Sequence, residues 1–169
     1  RGINRGTMEF YRISTKVAPD GEPQSVGFVY PNGTIKTRGY RDKVFKTVGA
    51  GAEPSLFGAD PFPAGSSRDI VIVEGELDAA SAYQMLGVPA VSVRSSTSAR
   101  KDCAASQKYL DSFSRIYLAL DDDEPGRNAW ASIAELLNFN KIYTIPFSTY
   151  KDANAYLVAD KVKEFRNAF

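Results

Sequence analysis

Acidic residues that could bind a divalent metal follow three separate apolar stretches of this chain. Glu74 comes directly after residues 70–73, an acidic run begins at Asp121 directly after residues 115–120, and Asp152 lies beyond a third stretch. Carboxylates that lie close together repel each other unless cations sit between them, and hard divalent cations prefer oxygen ligands. The three acidic segments therefore predict a metal site, provided that the fold brings them together.

The composition excludes other kinds of metal or nucleophilic site. The 169 residues include no histidine and a single cysteine, Cys103. Imidazole-based triads, zinc sites built from histidine and cysteine, and an internal disulfide are therefore excluded. Any metal must be held by oxygen atoms, which suits Mg²⁺, Mn²⁺ or Ca²⁺. The scarcity of cysteine is typical of a cytosolic protein.

Size and charge are those of a folded domain with an uneven charge distribution. Hydrophobic residues make up 43% and charged residues 24% of the chain, and its apolar runs are too short to span a bilayer. Residues 1–68 contain 10 Lys and Arg against 6 Asp and Glu, whereas residues 69–169 contain 11 against 14. Such an asymmetry suits an anionic ligand held between cations and a metal-loaded acidic centre, although random scatter can also produce it. The chain begins with Arg1 and no targeting segment follows, so we expect it to be part of a longer protein.

The front of the chain predicts antiparallel strands. Apolar alternation and the Asn32-Gly33 turn favour strands over residues 24–30, 34–40 and 43–48. Residues 49–68 are rich in Gly, Ala, Pro and Ser and are interpreted as a connector. We therefore expect a small, mainly antiparallel N-terminal subdomain over residues 1–66 and a second domain over residues 67–169.

The second domain alternates short apolar runs with helical patterns. This alternation predicts an open parallel sheet flanked by helices, so the fold class is α/β, or α+β for the whole chain. Ligands of such sheets bind at the carboxyl ends of the strands, where the acidic segments lie. The predicted strands are 70–73, 89–93, 115–120 and 141–145, and the predicted helices are 76–86, 100–113, 126–137 and a terminal region from 152.

Each acidic residue also has a simpler interpretation. Asp121 and Asp123 should face the same side of an extended strand end, but the run could equally be the acidic start of a helix. Asp152 could simply cap the last helical region. Glu74 could be a surface carboxylate, although Gly75 allows the backbone to bend and aim it into a crevice.

The order of these motifs resembles the Toprim domain shared by bacterial-type primases, type IA and II topoisomerases and certain nucleases. Glu74-Gly75 and Asp121-x-Asp123 are similar to its two acidic motifs, and Asp-Asp-Asp-Glu-Pro-Gly-Arg over residues 121–127 is similar to the primase form. Further short motifs resemble the RNA polymerase domain of bifunctional primase–helicases from tailed bacteriophages. They lie at residues 1–3, 32–33, 41–47, 56–58, 103–105 and 151–154. The loop at residues 94–98 departs from the phage pattern, which has glycine and histidine there.

The resemblance implies roles for particular residues. Glu74, Asp121 and Asp123 would be catalytic and would hold Mg²⁺ or Mn²⁺, with Asp152 as a further metal ligand. Asp78 could be an acid that supports the metal ligands without touching the metal, or an ordinary residue of the first helical turn. Basic residues of the front subdomain would bind nucleotide and template, although they could also form a solvated sheet face. These basic residues are Arg38, Arg41, Lys43 and Lys46.

The function implied by the resemblance is that of a primase. We expect the chain to synthesise short oligoribonucleotide primers from ribonucleoside triphosphates on single-stranded DNA, by metal-dependent nucleotidyl transfer. The expected partners are the template, the triphosphates, and a zinc-binding module and a helicase domain elsewhere in the full-length protein, with no membrane. A phage-encoded protein would act in the cytoplasm of the bacterial host. The alternatives are a Toprim nuclease and a non-catalytic Toprim module that only binds nucleic acid.

Overall fold

The computed structural model describes residues 1–42, 44–49 and 53–169, whose strands form two four-stranded sheets. The first sheet is antiparallel and follows a short helix, α1 (Arg5–Phe10). Its strands are ordered β1-β2-β3-β4. Their bounds are β1 (Ser14–Val17), β2 (Pro23–Val29), β3 (Ile35–Gly39) and β4 (Phe45–Val48). The antiparallel subdomain predicted from the sequence is confirmed, with α1 and β1 as additional elements.

The second sheet is parallel and has the strand order β6-β5-β7-β8. Its strands are β5 (Asp69–Val73), β6 (Ala90–Ser92), β7 (Arg115–Ala119) and β8 (Ile142–Thr144). The chain moves outward from β5 to β6 and then returns to the other side of β5 as β7. The carboxyl ends of β5 and β7 therefore flank a topological switch point, where open α/β sheets bind their ligands.

Helices cover both faces of the parallel sheet, which confirms the predicted α/β class. Their bounds are α2 (Glu76–Leu86), α3 (Ala99–Ala105), α4 (Gln107–Asp111), α5 (Glu124–Ala134), α6 (Ala153–Val158) and α7 (Val162–Ala168). The helix predicted over residues 100–113 is divided at Ser106, where the backbone leaves the helical region. Among the described residues, none of the helices has the length and apolar character needed to cross a bilayer.

Two hydrophobic clusters form the core, one on each face of the parallel sheet. Alternation along β5 sends Val71 and Val73 into one cluster and Ile70 and Ile72 into the other. The first cluster continues into the front of the chain, where it includes Tyr11, Phe28, Tyr30 and Phe57. The antiparallel sheet is thus packed against the α2 side of the parallel sheet through a shared core. The domain boundary near residue 66 stays a prediction.

The connector also attaches to the parallel sheet. Phe57 and Ser92 exchange two backbone hydrogen bonds, of 2.9 and 3.0 Å, so that the connector pairs with the edge strand β6. Phe57 is fully buried there. This pairing covers part of a sheet edge that would otherwise expose unpaired backbone groups.

Candidate metal and nucleic-acid site

The structure brings Glu74 and Asp121 together at the switch point. Glu74 is the first residue after β5, and Asp121 lies two residues beyond the end of β7. The backbone N–H of Asp121 donates a hydrogen bond of 3.1 Å to Oε1 of Glu74. The two acidic motifs that are far apart in the sequence are therefore neighbours in the fold.

Gly126 permits the close packing of α5 against this pair of residues. A Cβ atom at position 126 would collide with the carbonyl oxygen of Asp121 and would lie 2.7 Å from Oε1 of Glu74. Gly75 is constrained in a similar way, because a Cβ there would collide with the carboxylate of Asp78. Close approach to backbone thus requires glycine at position 126, whereas at position 75 only the end of the Asp78 side chain would have to move.

Two of the predicted metal ligands also cap helices. Oδ1 of Asp123 accepts a hydrogen bond of 2.8 Å from the N–H of Gly126 at the start of α5. Oδ1 of Asp152 accepts one of 2.7 Å from the N–H of Ala155 at the start of α6. Both aspartates therefore cap helices, as the simpler interpretations expected. These capping hydrogen bonds fix the positions of the two carboxylates.

The acidic side chains affect one another electrostatically. Burial raises the pKa of Glu74 to about 7, and the charges of Asp121 and Asp123 add to this effect. Burial and the charge of Asp152 raise the pKa of Asp78 to about 7, even though the N–H of Asn154 donates to Asp78 over 2.9 Å. Excess negative charge is thus concentrated at this edge of the sheet.

Asp121 is affected in the same way. Its pKa is raised by burial first and then by the charges of Asp152 and Asp123. Asp122, by contrast, is exposed and forms an ion pair of 3.0 Å with Arg127. This agrees with the expectation that the middle aspartate of the run points away from its neighbours.

A basic wall, formed by Lys36 and Arg38, lines a groove of about 520 Å³. The carboxylate residues Glu74, Asp78 and Asp152 line the same groove, whereas Asp121 lines a different cavity. Lys36 and Arg38 lie on the same face of β3, since side chains alternate along a strand. An anionic ligand in the groove would therefore lie near both cations and carboxylates.

The structure brings only part of the predicted basic set to this groove. Arg38 lines it, whereas Arg41 is exposed and lies 3.8 Å from Glu22. Lys46 pairs with Thr37, so the strand alternation places it on the opposite face of the sheet from Arg38. A role for Lys46 in this groove therefore has no geometric support. Lys43 lies outside the described residues.

Lys36 is a groove residue that the sequence analysis missed. Its Nζ forms an ion pair of 2.7 Å with the buried carboxylate of Glu76, which also accepts a hydrogen bond of 2.6 Å from the hydroxyl of Tyr30. The same Nζ donates to the carbonyl oxygen of Arg94 over 2.9 Å. The sequence could have identified Lys36 as a groove residue, because it is two positions from Arg38 and therefore lies on the same face of the strand.

Arg94 also lines the groove and was not predicted. Its Nε and its backbone N–H donate to the carboxylate of Asp102 over 2.8 and 2.9 Å. Asp102 is completely buried and also accepts a hydrogen bond of 2.7 Å from Ser98. A buried carboxylate on α3 thus fixes the loop that follows β6 against the groove.

Comparison with known proteins identifies the family. Residues 71–157, which include the switch point and all five acidic positions of the candidate site, match the Toprim-like family. The chain belongs to the Toprim-like family.

Relatives of this Toprim-like chain come from bacteriophages. It is 35% identical over 159 residues to a DNA helicase/primase of Enterobacteria phage T3, covering 91% of this chain and 28% of that protein. The chain therefore spans 28% of the length of this curated relative. It also superimposes on the crystal structure of the primase fragment of the bacteriophage T7 primase-helicase protein with a TM-score of 0.89 and 30% identity, covering 99% of this chain and 71% of the other.

A second T7 structure shows a related domain with nucleic acid. In it, a lagging-strand DNA polymerase interacts with primase domains of two subunits bound to an RNA/DNA hybrid and dTTP. This Toprim-like chain matches it with a TM-score of 0.85 and 29% identity, covering 99% of this chain and 87% of that one.

Divalent-metal dependence is general in the Toprim-like family, and the donor set of this chain fits such ions. All the acidic groups at the switch point offer oxygen atoms, which Mg²⁺ and Mn²⁺ prefer. Burial and neighbouring negative charges raise the pKa values of Glu74 and Asp121, so a bound cation would stabilise the ionised forms of both residues. Within the described ranges, however, no three acidic or cysteine side chains are already arranged to hold a metal.

Proposed function

We propose that this chain is the RNA polymerase domain of a DNA primase. It would join ribonucleotides into short primers on single-stranded DNA by metal-dependent nucleotidyl transfer. The observation that carries the proposal is one groove whose lining includes the acidic residues Glu74, Asp78 and Asp152 and the basic residues Lys36 and Arg38. The similarity to a phage helicase/primase over 91% of the chain supports this assignment.

The groove suits the reaction that primer synthesis requires. A 3′-hydroxyl attacks the α-phosphorus of the next triphosphate, a new phosphodiester bond forms, and pyrophosphate leaves. Glu74, Asp121 and Asp123 would hold Mg²⁺ or Mn²⁺, with Asp152 as a further ligand. When bound, such ions lower the pKa of the attacking hydroxyl and neutralise charge on the phosphates.

Other side chains of the groove would bind and orient the reactants. Lys36 and Arg38 would neutralise the triphosphate or the template backbone, which provides affinity without reading sequence. Asp78 would keep the start of α6 in place through its hydrogen bond from the N–H of Asn154. In this scheme the protein supplies no nucleophile, in agreement with a chain that has no histidine and whose single cysteine, Cys103, is buried.

The partners follow from the same proposal. They are a single-stranded DNA template and ribonucleoside triphosphates, together with a zinc-binding module and a helicase domain in the full-length protein. The T3 relative combines helicase and primase in one name, and this chain spans 28% of it, which leaves room for such further domains.

Primer synthesis in solution tests the proposal. The chain is incubated with a single-stranded template, the four ribonucleoside triphosphates and Mg²⁺ or Mn²⁺, and the products are separated by length. Labelled oligoribonucleotides that disappear in the Glu74→Gln variant support a primase. Cleavage of the template without synthesis would show a nuclease instead, and binding without either reaction would show a non-catalytic module.

A further inference from the structure

Two aromatic rings are exposed on the face of the antiparallel sheet that borders the groove. The side chain of Phe45 is 53% exposed and that of Tyr40 is 54% exposed. Phe45 pairs with Arg38 across β3 and β4, and it lines the groove together with the carboxylates. Tyr40 follows β3 two residues after Arg38, and its N–H pairs with the carbonyl of Gln24 on β2.

These rings do not serve the core of the protein. In the described part of the chain, neither Phe45 nor Tyr40 belongs to either hydrophobic cluster. Single exposed hydrophobic residues are common on protein surfaces, so exposure alone does not identify a ligand site. Their position beside the groove points to a ligand of that groove.

Cations alternate with the rings along this face. Nζ of Lys36 lies 4.9 Å from the centroid of the Phe45 ring, and Cζ of Arg38 lies 5.6 Å from it. Lys36 and Arg38 share one face of β3, and Tyr40, directly after the strand, lines the same cavity as Arg38, so these residues extend over about 13 Å. Alternating cations and aromatic rings are the arrangement that binds single-stranded nucleic acid, because the rings stack on bases while the cations hold phosphates.

The strip formed by Lys36, Arg38, Tyr40 and Phe45 also connects two cavities. The groove with the carboxylates holds Phe45, and an adjoining apolar pocket of about 270 Å³ holds Tyr40. Arg38 and Leu77 line both cavities. A ligand can therefore extend continuously from the acidic site along this face of β3. The face is longer than the spacing of about 3.4 Å between successive bases.

We propose that Phe45 and Tyr40 are stacking platforms for successive bases of the single-stranded DNA template. This inference rests on the proposed function and adds to it the residues that position the template beside the acidic site. Because every base has an aromatic face, these residues would hold the DNA template without selecting its sequence.

Binding of a fluorescein-labelled oligothymidylate of about 12 nucleotides tests the proposal, since the site sizes of such platforms are of that order. Phe45→Ala should weaken binding about 5- to 100-fold, because that is the usual effect of removing a stacking ring. Phe45→Trp should retain binding. Val48→Ala is the matched control, since Val48 is 67% exposed on the same strand but faces the other side of the sheet.

An abasic oligonucleotide of the same length separates stacking from charge, and it requires no variant to fold. The unchanged protein should prefer the oligonucleotide with bases, and this preference should shrink in Phe45→Ala and in Tyr40→Ala. Equal affinity for the two oligonucleotides, or unchanged binding by both alanine variants, would overturn the inference. Equal weakening towards duplex and single-stranded DNA would also overturn it.

Failure of the proposed function would look different. If the unchanged protein binds the oligothymidylate through its bases but makes no primers, the stacking inference stands and the primase assignment fails. If primers are made but the two rings contribute nothing to template binding, the primase assignment stands and the stacking inference fails.

Discussion

The backbone N–H of Asp121 donates a hydrogen bond to the carboxylate of Glu74 over 3.1 Å. This contact joins the segments after β5 and β7, the two neighbouring strands at which the chain reverses its direction of winding. It keeps one carboxylate oxygen of Glu74 at the start of the segment that carries Asp121 and Asp123. The acidic site therefore depends on how closely the two strand ends and α5 approach each other.

Replacing Gly126 with alanine should disturb this approach. The added Cβ would collide with the carbonyl oxygen of Asp121 and press on the carboxylate of Glu74. Overpacking of this kind costs about 1–3 kcal/mol of the free energy of unfolding, and we expect primer synthesis to fall with it. Urea denaturation and the synthesis assay measure the two effects.

Gly6→Ala is the matched control for Gly126→Ala. A Cβ at position 6 would meet only Oδ1 of Asn4, at an ordinary 3.5 Å. Because Gly6 lies inside α1, alanine there should leave stability unchanged or raise it slightly. Equal losses in Gly6→Ala and Gly126→Ala would contradict the role of close approach.

Asp121→Asn should abolish primer synthesis while stabilising the metal-free protein. Burial and the charges of Asp152 and Asp123 already disfavour the ionised form of Asp121, so removing its charge relieves repulsion. The melting temperature in a chelator should therefore rise, and the further rise on adding Mg²⁺ should be smaller than in the unchanged protein. Asp111→Asn, at an exposed position in α4, is the control and should alter neither value. A metal response as large as that of the unchanged protein would show that Asp121 is not a ligand.

Stability of the metal-free protein should fall as the pH rises towards 7. The pKa of Glu74 is raised from 4.5 to about 7, and that of Asp78 from 3.8 to about 7. Between the unfolded and folded values the folded chain holds more protons than the unfolded chain, so raising the pH favours unfolding in that window. Melting temperatures in a chelator across this range measure the effect. A Glu74→Gln, Asp78→Asn double variant should show a flatter profile, and an identical profile would exclude these two groups as its source.

Asp102→Ala should destabilise the protein by about 2 kcal/mol, because the ion pair and hydrogen bonds that hold Arg94 are lost. This loss is smaller than the roughly 3–5 kcal/mol for a fully buried pair, since the Arg94 side chain remains 20% exposed. Glu9→Ala removes an exposed ion pair of 2.7 Å with Arg5 and should cost less than about 0.5 kcal/mol. Urea denaturation of both variants compares the two pairs, and similar losses would contradict the structural role of Asp102.

Much of the fold and of the acidic site could be predicted from local patterns. The β-branched run at residues 70–73 and the apolar run at residues 115–120 form neighbouring parallel strands. Because parallel strands end at the same sheet edge, the positions of Glu74 and Asp121 followed from the order of elements. The helix predicted over residues 100–113 was wrong in one respect, since it is two helices that meet at Ser106.

The basic wall was less predictable. Lys46 and Arg38 are both cations on neighbouring strands, but their register puts them on opposite faces of the sheet. A register shift of one residue exchanges the two faces, and it is decided by pairing with the partner strand rather than by the strand's own sequence. The groove positions of Lys36 and Arg94 likewise depend on contacts with Glu76 and Asp102 from other elements.

The amino-acid sequence by itself determined which kinds of atoms could do chemistry here. Without histidine and with one buried cysteine, only oxygen ligands remained, and the strand–helix alternation specified a parallel sheet with acidic ends. The tertiary structure alone decided that β7 lies beside β5, that Gly126 brings α5 against Glu74, and which cations face the groove. Local patterns reflect interactions between near neighbours in the chain, whereas strand order, register and close approach arise from contacts between residues far apart in sequence.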